Sequence, residues 1–138
     1  MNYLLDTNVI SELRKGPRCD PSVGRWYASV PEDNIYLSVL VIGEIRNGIE
    51  RLRVRDPLQA EILEKWLDAV KETSAGRVLL VDEQISQVWG RLGAVRPLPI
   101  VDGLLLATAK IHGMTLVTRD MLDTRNLGVR VLNPFEPR

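Results

Sequence analysis

Short apolar runs alternate with amphipathic stripes along the whole of this chain, and few folds admit that alternation. Tyr3-Leu4-Leu5, Ile35-Tyr36-Leu37 with Ser38, Val78-Leu79-Leu80-Val81, Thr115-Leu116-Val117-Thr118 and Val129-Arg130-Val131-Leu132 each read as a strand. They are too short for helices and rich in β-branched or aliphatic residues. Between them lie stretches with apolar residues three and four apart, such as Val41, Ile42, Ile45, Ile49 and Leu52. Strand–helix alternation of this kind builds an α/β fold on a mostly parallel central sheet flanked by helices. The continuous run Val78 to Val81 predicts a strand covered on both sides.

Helix boundaries are marked by chemistry as well as by period. Asp20-Pro21 and Asp56-Pro57 each place a capping carboxylate before a proline at the first helical position. Ser38 and Asp82 stand where a cap is needed, and His112-Gly113 is a glycine stop. The stripe Leu58, Ile62, Leu63, Trp66, Leu67 and Val70 pairs with the preceding helix as a helical hairpin. Leu104 to Ile111 is apolar nearly all round, which predicts a central, buried helix. Trp26, Trp66 and Trp89 fall on apolar stripes and are expected in the core. A short helical turn is expected from Met121. With no repeat, linker or low-complexity tract, residues 1–138 read as one domain.

Composition narrows the chemistry. The chain has one cysteine, Cys19, and one histidine, His112. A disulfide, a cysteine-built zinc site and a histidine-based dyad are therefore excluded or disfavoured, and catalysis must run on carboxylates. Asp6 interrupts the N-terminal apolar run, so no signal peptide is expected. The longest uncharged apolar stretch, Ile35 to Gly43, falls far short of the roughly 20 residues of a membrane span. The reading is a cytoplasmic protein with no membrane contact. Net charge is zero, with 14 Arg against four Lys. Arginine suits bidentate phosphate contacts, although a coding bias produces the same ratio.

The acids are placed where such chemistry needs them. Asp6 and Asp120 each end an apolar run, Asp102 opens the apolar helix, and Glu44 lies early in the helix after Ser38. Singly, each has a structural explanation as a cap or as a partner of a helix dipole. Together they converge, because the strand-to-helix turns of a parallel sheet emerge on one edge. Carboxylates crowded there raise one another's pKa unless a cation joins them. All-oxygen ligands point to Mg²⁺ or Mn²⁺ rather than zinc, and such a site supports hydrolysis of phosphodiester bonds.

Four motifs then carry a family likeness: Leu4-Leu5-Asp6-Thr7-Asn8-Val9-Ile10-Ser11, Leu37-Ser38-Val39 with Gly43-Glu44-Ile45-Arg46-Asn47-Gly48-Ile49, Asp102-Gly103-Leu104-Leu105-Leu106-Ala107-Thr108-Ala109, and Leu116-Val117-Thr118-Arg119-Asp120. In this order and spacing the chain resembles PIN-domain proteins, and more closely the VapC- and FitB-type toxins of bacterial toxin–antitoxin pairs. The resemblance covers nearly the whole chain and implies a PIN-like fold. It implies that Asp6, Glu44, Asp102 and an acid of the Asp120–Asp123 stretch bind Mg²⁺ or Mn²⁺, with Thr7, Asn8 and Thr118 as their hydrogen-bond shell. Many relatives have Asn after the Thr-Arg pair and Asp three residues later; here Asp120 and Asp123 are both acidic, and Asp120 is the preferred ligand. Endoribonuclease activity leaving a 5′-phosphate, a homodimer, and a small antitoxin partner are also implied, with DNA contact only indirect, through the antitoxin. Arg46 and Arg119 are the expected RNA contacts.

Three other readings compete. A haloacid-dehalogenase-type phosphatase needs a second Asp where Asn8 stands, and a response-regulator receiver needs adjacent acids after the first strand. A non-catalytic binding domain of the same fold is the third, and the full set of acids opposes it.

Overall fold

A computed structural model describes residues 1–120 and 122–137. Five strands, β1 (Tyr3–Leu5), β2 (Ile35–Ser38), β3 (Val78–Leu79), β4 (Thr115–Val117) and β5 (Arg130–Leu132), form one sheet in the order β3-β2-β1-β4-β5. Every pairing is parallel, so the mostly parallel expectation resolves to an entirely parallel sheet. Its centre is β1, which sets Tyr3 against Ile35 on one side and against Thr115 on the other. The chain moves outward from β1 through β2 to β3, then returns to lay β4 on the opposite flank. The order therefore reverses between β1 and β4, and crevices at such reversals are the usual ligand sites of open parallel sheets.

Six helices connect the strands: α1 (Thr7–Leu13), α2 (Pro21–Ala28), α3 (Val39–Arg55), α4 (Pro57–Thr73), α5 (Glu83–Val95) and α6 (Ile100–His112). The cap-plus-proline signals mark real starts. Asp20 accepts from the Ser22 and Val23 amides, Asp56 from that of Gln59, and each is followed by proline. Ser38 and Asp82 cap α3 and α5 through the Leu40 and Ile85 amides. Gly113 ends α6 at φ +65°, the left-handed region that glycine enters without steric cost. As expected, α6 is central: Leu105, Leu106, Ala107 and Ala109 are fully buried, alongside Leu4, Val9, Val41 and Leu116.

Several expectations are corrected by position in the sheet. The third strand is two residues long rather than four, and Leu80 is 69% exposed, because β3 is an edge strand paired only with β2. Leu58 and Ile62 belong to the apolar period of α4 but face solvent, while Ala60 and Leu67 on the helix's other side are buried. Of the tryptophans only Trp26 is buried; Trp66 is half-buried and Trp89 exposed. The turn expected from Met121 starts outside the described residues, and Leu122 to Thr124 adopt no regular structure.

Candidate metal centre

The carboxyl ends of the two central strands meet at Asp6 and Thr118. The Asp6 amide continues the ladder by donating to Val117 O (2.9 Å), and the Thr118 amide donates to Leu132 O (2.9 Å). Asp6 is therefore tied by its backbone to β4, which β5 holds in turn, and it is buried. One carboxylate oxygen, Oδ1, accepts from the Thr7 amide at 2.7 Å; the other accepts from Thr118 Oγ1 at 2.8 Å. The Thr118 hydroxyl in turn accepts from Asn8 Nδ2 (3.3 Å) and from the Asp120 amide (3.1 Å). Asn8 completes the frame, its Oδ1 accepting from the Arg119 amide at 3.1 Å. Thr7, Asn8 and Thr118 thus tie the start of α1 to the segment after β4, with Asp6 at the middle of the net.

Around that frame the acids assemble. Oxygen atoms of Asp6, Asp102 and Asp120 all lie within 4.8 Å of one another. Asp102 comes from the first turn of α6 and Asp120 from the end of the β4 segment. Glu44 adjoins them; its Oε1 accepts from Thr7 Oγ1 at 2.6 Å, and its charge acts on both Asp6 and Asp102. Glu44 also lies in the second turn of α3, past the amides on which a helix dipole acts, so the capping explanation does not cover it. The Asp102 and Asp120 carboxylates accept no hydrogen bond and join no salt bridge among the described residues, and each has the other and Asp6 beside it.

The electrostatic consequence is a site under repulsion. Burial raises the Asp6 carboxyl above the ordinary aspartate range; the bonds from Thr118 and Thr7 oppose this, and the charges of Asp120 and Glu44 reinforce it. Asp102 is raised too, first by burial and then by Asp120, Asp6 and Glu44. Three carboxylates with unspent oxygen lone pairs at this spacing form the donor set of a hard divalent cation, and the single histidine and cysteine of the chain are not among them. The residues fit Mg²⁺ or Mn²⁺.

Asp123 behaves otherwise. Arg125 binds both its oxygens (Nε–Oδ1 3.0 Å, Nη2–Oδ2 2.9 Å), and Arg96 Nε lies 3.5 Å from Oδ2. The Arg125 guanidinium, helped by Arg96, pulls the Asp123 carboxyl down to about 2. Asp123 is not among the acids that gather at Asp6, so of the two alternatives the geometry gathers Asp120. Arg46 is also committed, to Glu50 (3.0 Å) and Glu64 (2.9 Å), in a network that Arg53 joins and that clasps α3 to α4. Arg119 is not so engaged: its guanidinium carbon lies over the Phe135 ring, 4.5 Å from the centroid. Linear spacing does not reveal Phe135, because only the return of the chain beside β4 brings it there.

A cleft lies elsewhere in the molecule. It measures about 590 Å³, is lined by residues including Leu13, Arg14, Cys19, Trp66, Val70 and Arg77, and contains none of the four acids. No helix among the described residues is long and apolar enough to cross a membrane.

The chain is similar to known proteins in both sequence and fold. A sequence model of the PIN domain matches residues 3–121. Toxin FitB of Neisseria gonorrhoeae is 31% identical over 137 residues, spanning 96% of this chain and 97% of that protein. VapC ribonuclease Y4jK of Sinorhizobium fredii is 32% identical over 146 residues, spanning 97% and 98%. Among solved structures, that of FitAB bound to an IR36 DNA fragment superposes with a TM-score of 0.86 at 30% identity, covering 99% of this chain and 97% of that one.

Proposed function

This chain belongs to the PIN-domain family, and on that premise we propose that it is the toxin of a toxin–antitoxin pair, a Mg²⁺- or Mn²⁺-dependent endoribonuclease. The observation that carries the reading is the convergence of Asp6, Asp102 and Asp120 within 4.8 Å, with Glu44 beside them, where the strand order reverses. The names of the similar proteins, a toxin and a ribonuclease, support the substrate class.

In this reading Asp6, Asp102 and Asp120 would hold the cation, and Glu44 would complete the acidic wall beside them. Bound there, the cation supplies Lewis-acid activation of water and neutralises charge developing on the phosphate. The protein's own part is positional. Thr118 and the Thr7 amide fix both Asp6 oxygens, so the carboxylate plane does not turn. Thr7 bridges to Glu44, coupling α1 to α3 across the edge. With one histidine and one cysteine in the chain, and neither in the cluster, no protein nucleophile is needed. A small antitoxin is the expected inhibitor and DNA is contacted through it, as the likeness to a DNA-bound FitAB complex supports. The active form is a homodimer.

The test is cleavage of single-stranded RNA by purified protein. Activity should require Mg²⁺ or Mn²⁺, cease with chelator, and disappear in Asp6→Asn while the fold persists by circular dichroism. RNA left intact by the metal-loaded wild type, with partner binding retained, would instead identify a binding module.

A further inference from the structure

A catalytic edge built of four acids repels the polyanion it must hold, so a cation has to border it. Most basic residues near the helices that frame the site are already spent. Arg46 and Arg53 are paired with Glu50 and Glu64, and Arg96 with Asp123 and the carbonyls of Asp123 and Arg125. Arg119 is different. It immediately precedes Asp120, its amide is anchored on Asn8 Oδ1 (3.1 Å), and its guanidinium forms no hydrogen bond among the described residues. Glu12 lies within electrostatic reach, yet its Oε1 is taken by Lys15 Nζ (3.0 Å) and its Oε2 by the Asp20 amide (2.8 Å).

What holds the Arg119 head group is the ring of Phe135. The guanidinium carbon sits 4.5 Å from the ring centroid, and the ring is itself placed by a turn in which the Phe135 amide donates to Asn133 Oδ1 (3.0 Å). A cation–π contact engages the charge of a guanidinium without using its N–H donors, which here make no hydrogen bond among the described residues. Those donors form a fork matched to phosphate oxygens. We propose that Phe135 positions Arg119 as a phosphate fork, gripping the backbone phosphate next to the scissile one in single-stranded RNA. The proposal rests on the nuclease reading above. In it Arg119 touches the substrate, and Phe135 acts through Arg119.

The experiment measures binding of a fluorescein-labelled single-stranded oligoribonucleotide by anisotropy across a NaCl series, in an Asp6→Asn background that leaves the RNA intact. Arg119→Ala should weaken binding about tenfold, the size of one charge-assisted contact at an exposed site. It should also flatten the slope of log K against log[salt] by about 0.7, one single-strand phosphate contact. Arg119→Lys should keep the slope and lose much of the affinity, because an ammonium makes no fork. Phe135→Leu keeps apolar bulk, so the melting temperature should hold. It should weaken binding about threefold with an unchanged slope, and Phe135→Tyr should restore affinity.

The deciding measurement is the double variant: Phe135→Leu should have no further effect once Arg119 is Ala. An equal loss from Phe135→Leu in both backgrounds would mean that the ring touches RNA itself, which overturns the positioning role. An unchanged salt slope in Arg119→Ala would overturn the fork. Wild-type protein assayed with Mg²⁺ on the same RNA separates the two readings. Cleavage with silent Arg119 and Phe135 variants removes the fork alone, whereas no cleavage and no binding removes the nuclease reading and the fork with it.

Discussion

Replacing Asp102 by Asn should make the metal-free protein more stable and at the same time abolish its response to Mg²⁺. Asp102 is the informative acid because its carboxylate accepts no hydrogen bond from the described residues, whereas Asp6 accepts two. Removing the Asp102 charge therefore costs no bond and relieves repulsion. Two unit charges about 4.8 Å apart, the outer limit of the cluster, repel by about 0.9 kcal/mol in bulk water and about 3.5 kcal/mol at an effective dielectric of 20. Asp102 is only partly buried and Asp120 is exposed, so the water-like figure is the better guide. Repulsion from Asp6 and Asp120 then gives a gain of about 1–2 kcal/mol. For 138 residues, an unfolding entropy of about 2.1 cal/mol/K per residue converts this to about 3–7 °C in melting temperature. Wild type should instead gain about 2.7 kcal/mol, or about 9 °C, with Mg²⁺ at one hundred times its dissociation constant.

The pH dependence follows with a definite sign. The folded state raises the carboxyl pKa of Asp6 and Asp102 by burial and by mutual charge, so it holds more protons than the unfolded chain. The contribution of these two groups to metal-free wild type is therefore fully present below the ordinary aspartate pKa of about 3.9, and it is lost as pH rises from there through their raised values. The advantage of Asp102→Asn should appear over that window and vanish in acid. Thermal unfolding followed by circular dichroism, with chelator or with Mg²⁺, across pH, reads both effects. A destabilised Asp102→Asn that still gains the full Mg²⁺ shift would refute the reasoning, because Asp102 would then be neither repelled by the cluster nor part of the cation site.

Two further outcomes separate neighbouring residues. Asp123→Asn should retain metal-dependent cleavage, while Asp120→Asn should lose it, since Arg125 and Arg96 already occupy Asp123; parallel rates of the two variants on one RNA decide the point. Gly103→Ala should cost about 1–3 kcal/mol, the usual range for overpacking, because a Cβ there stands 3.0 Å from Trp89 Cδ1 and Nε1. Melting temperatures should show the loss in Gly103→Ala and its recovery in Gly103→Ala with Trp89→Leu.

Much of this molecule was legible in the sequence because its signals are local. A carboxylate before a proline announces a helix start whatever the rest of the chain does, and Asp20-Pro21 and Asp56-Pro57 both kept that promise. Leu104 to Ile111, apolar nearly all round, had no stable place except the interior, and most of α6 is there. What stayed hidden depends on the neighbours a residue acquires. Val78 to Val81 reads as a buried strand by composition, yet its exposure follows from standing at the sheet's edge, which no residue within it encodes. Leu58 and Ile62 keep the helical period and still face water, since period specifies a stripe and not whether anything lies against it.

The acids show the same division at the site itself. Topology alone argued that Asp6, Asp102 and Asp120 share an edge, because parallel strands deliver their following turns to one side. Choosing between Asp120 and Asp123 required knowing where Arg96 and Arg125 point, and those side chains reach Asp123 from the end of α5 and from the loop beyond it. An acid already matched by two guanidiniums has lost the repulsion that makes a cation necessary. The four acids were therefore equivalent as letters and unequal as charges: Asp6 and Asp102 are pushed up by their company, Asp123 is pulled down by its own. A carboxylate whose ionised form the fold penalises is one that a divalent cation would stabilise, so the direction of these shifts separates Asp6 and Asp102, proposed above as cation ligands, from the ion-paired Asp123.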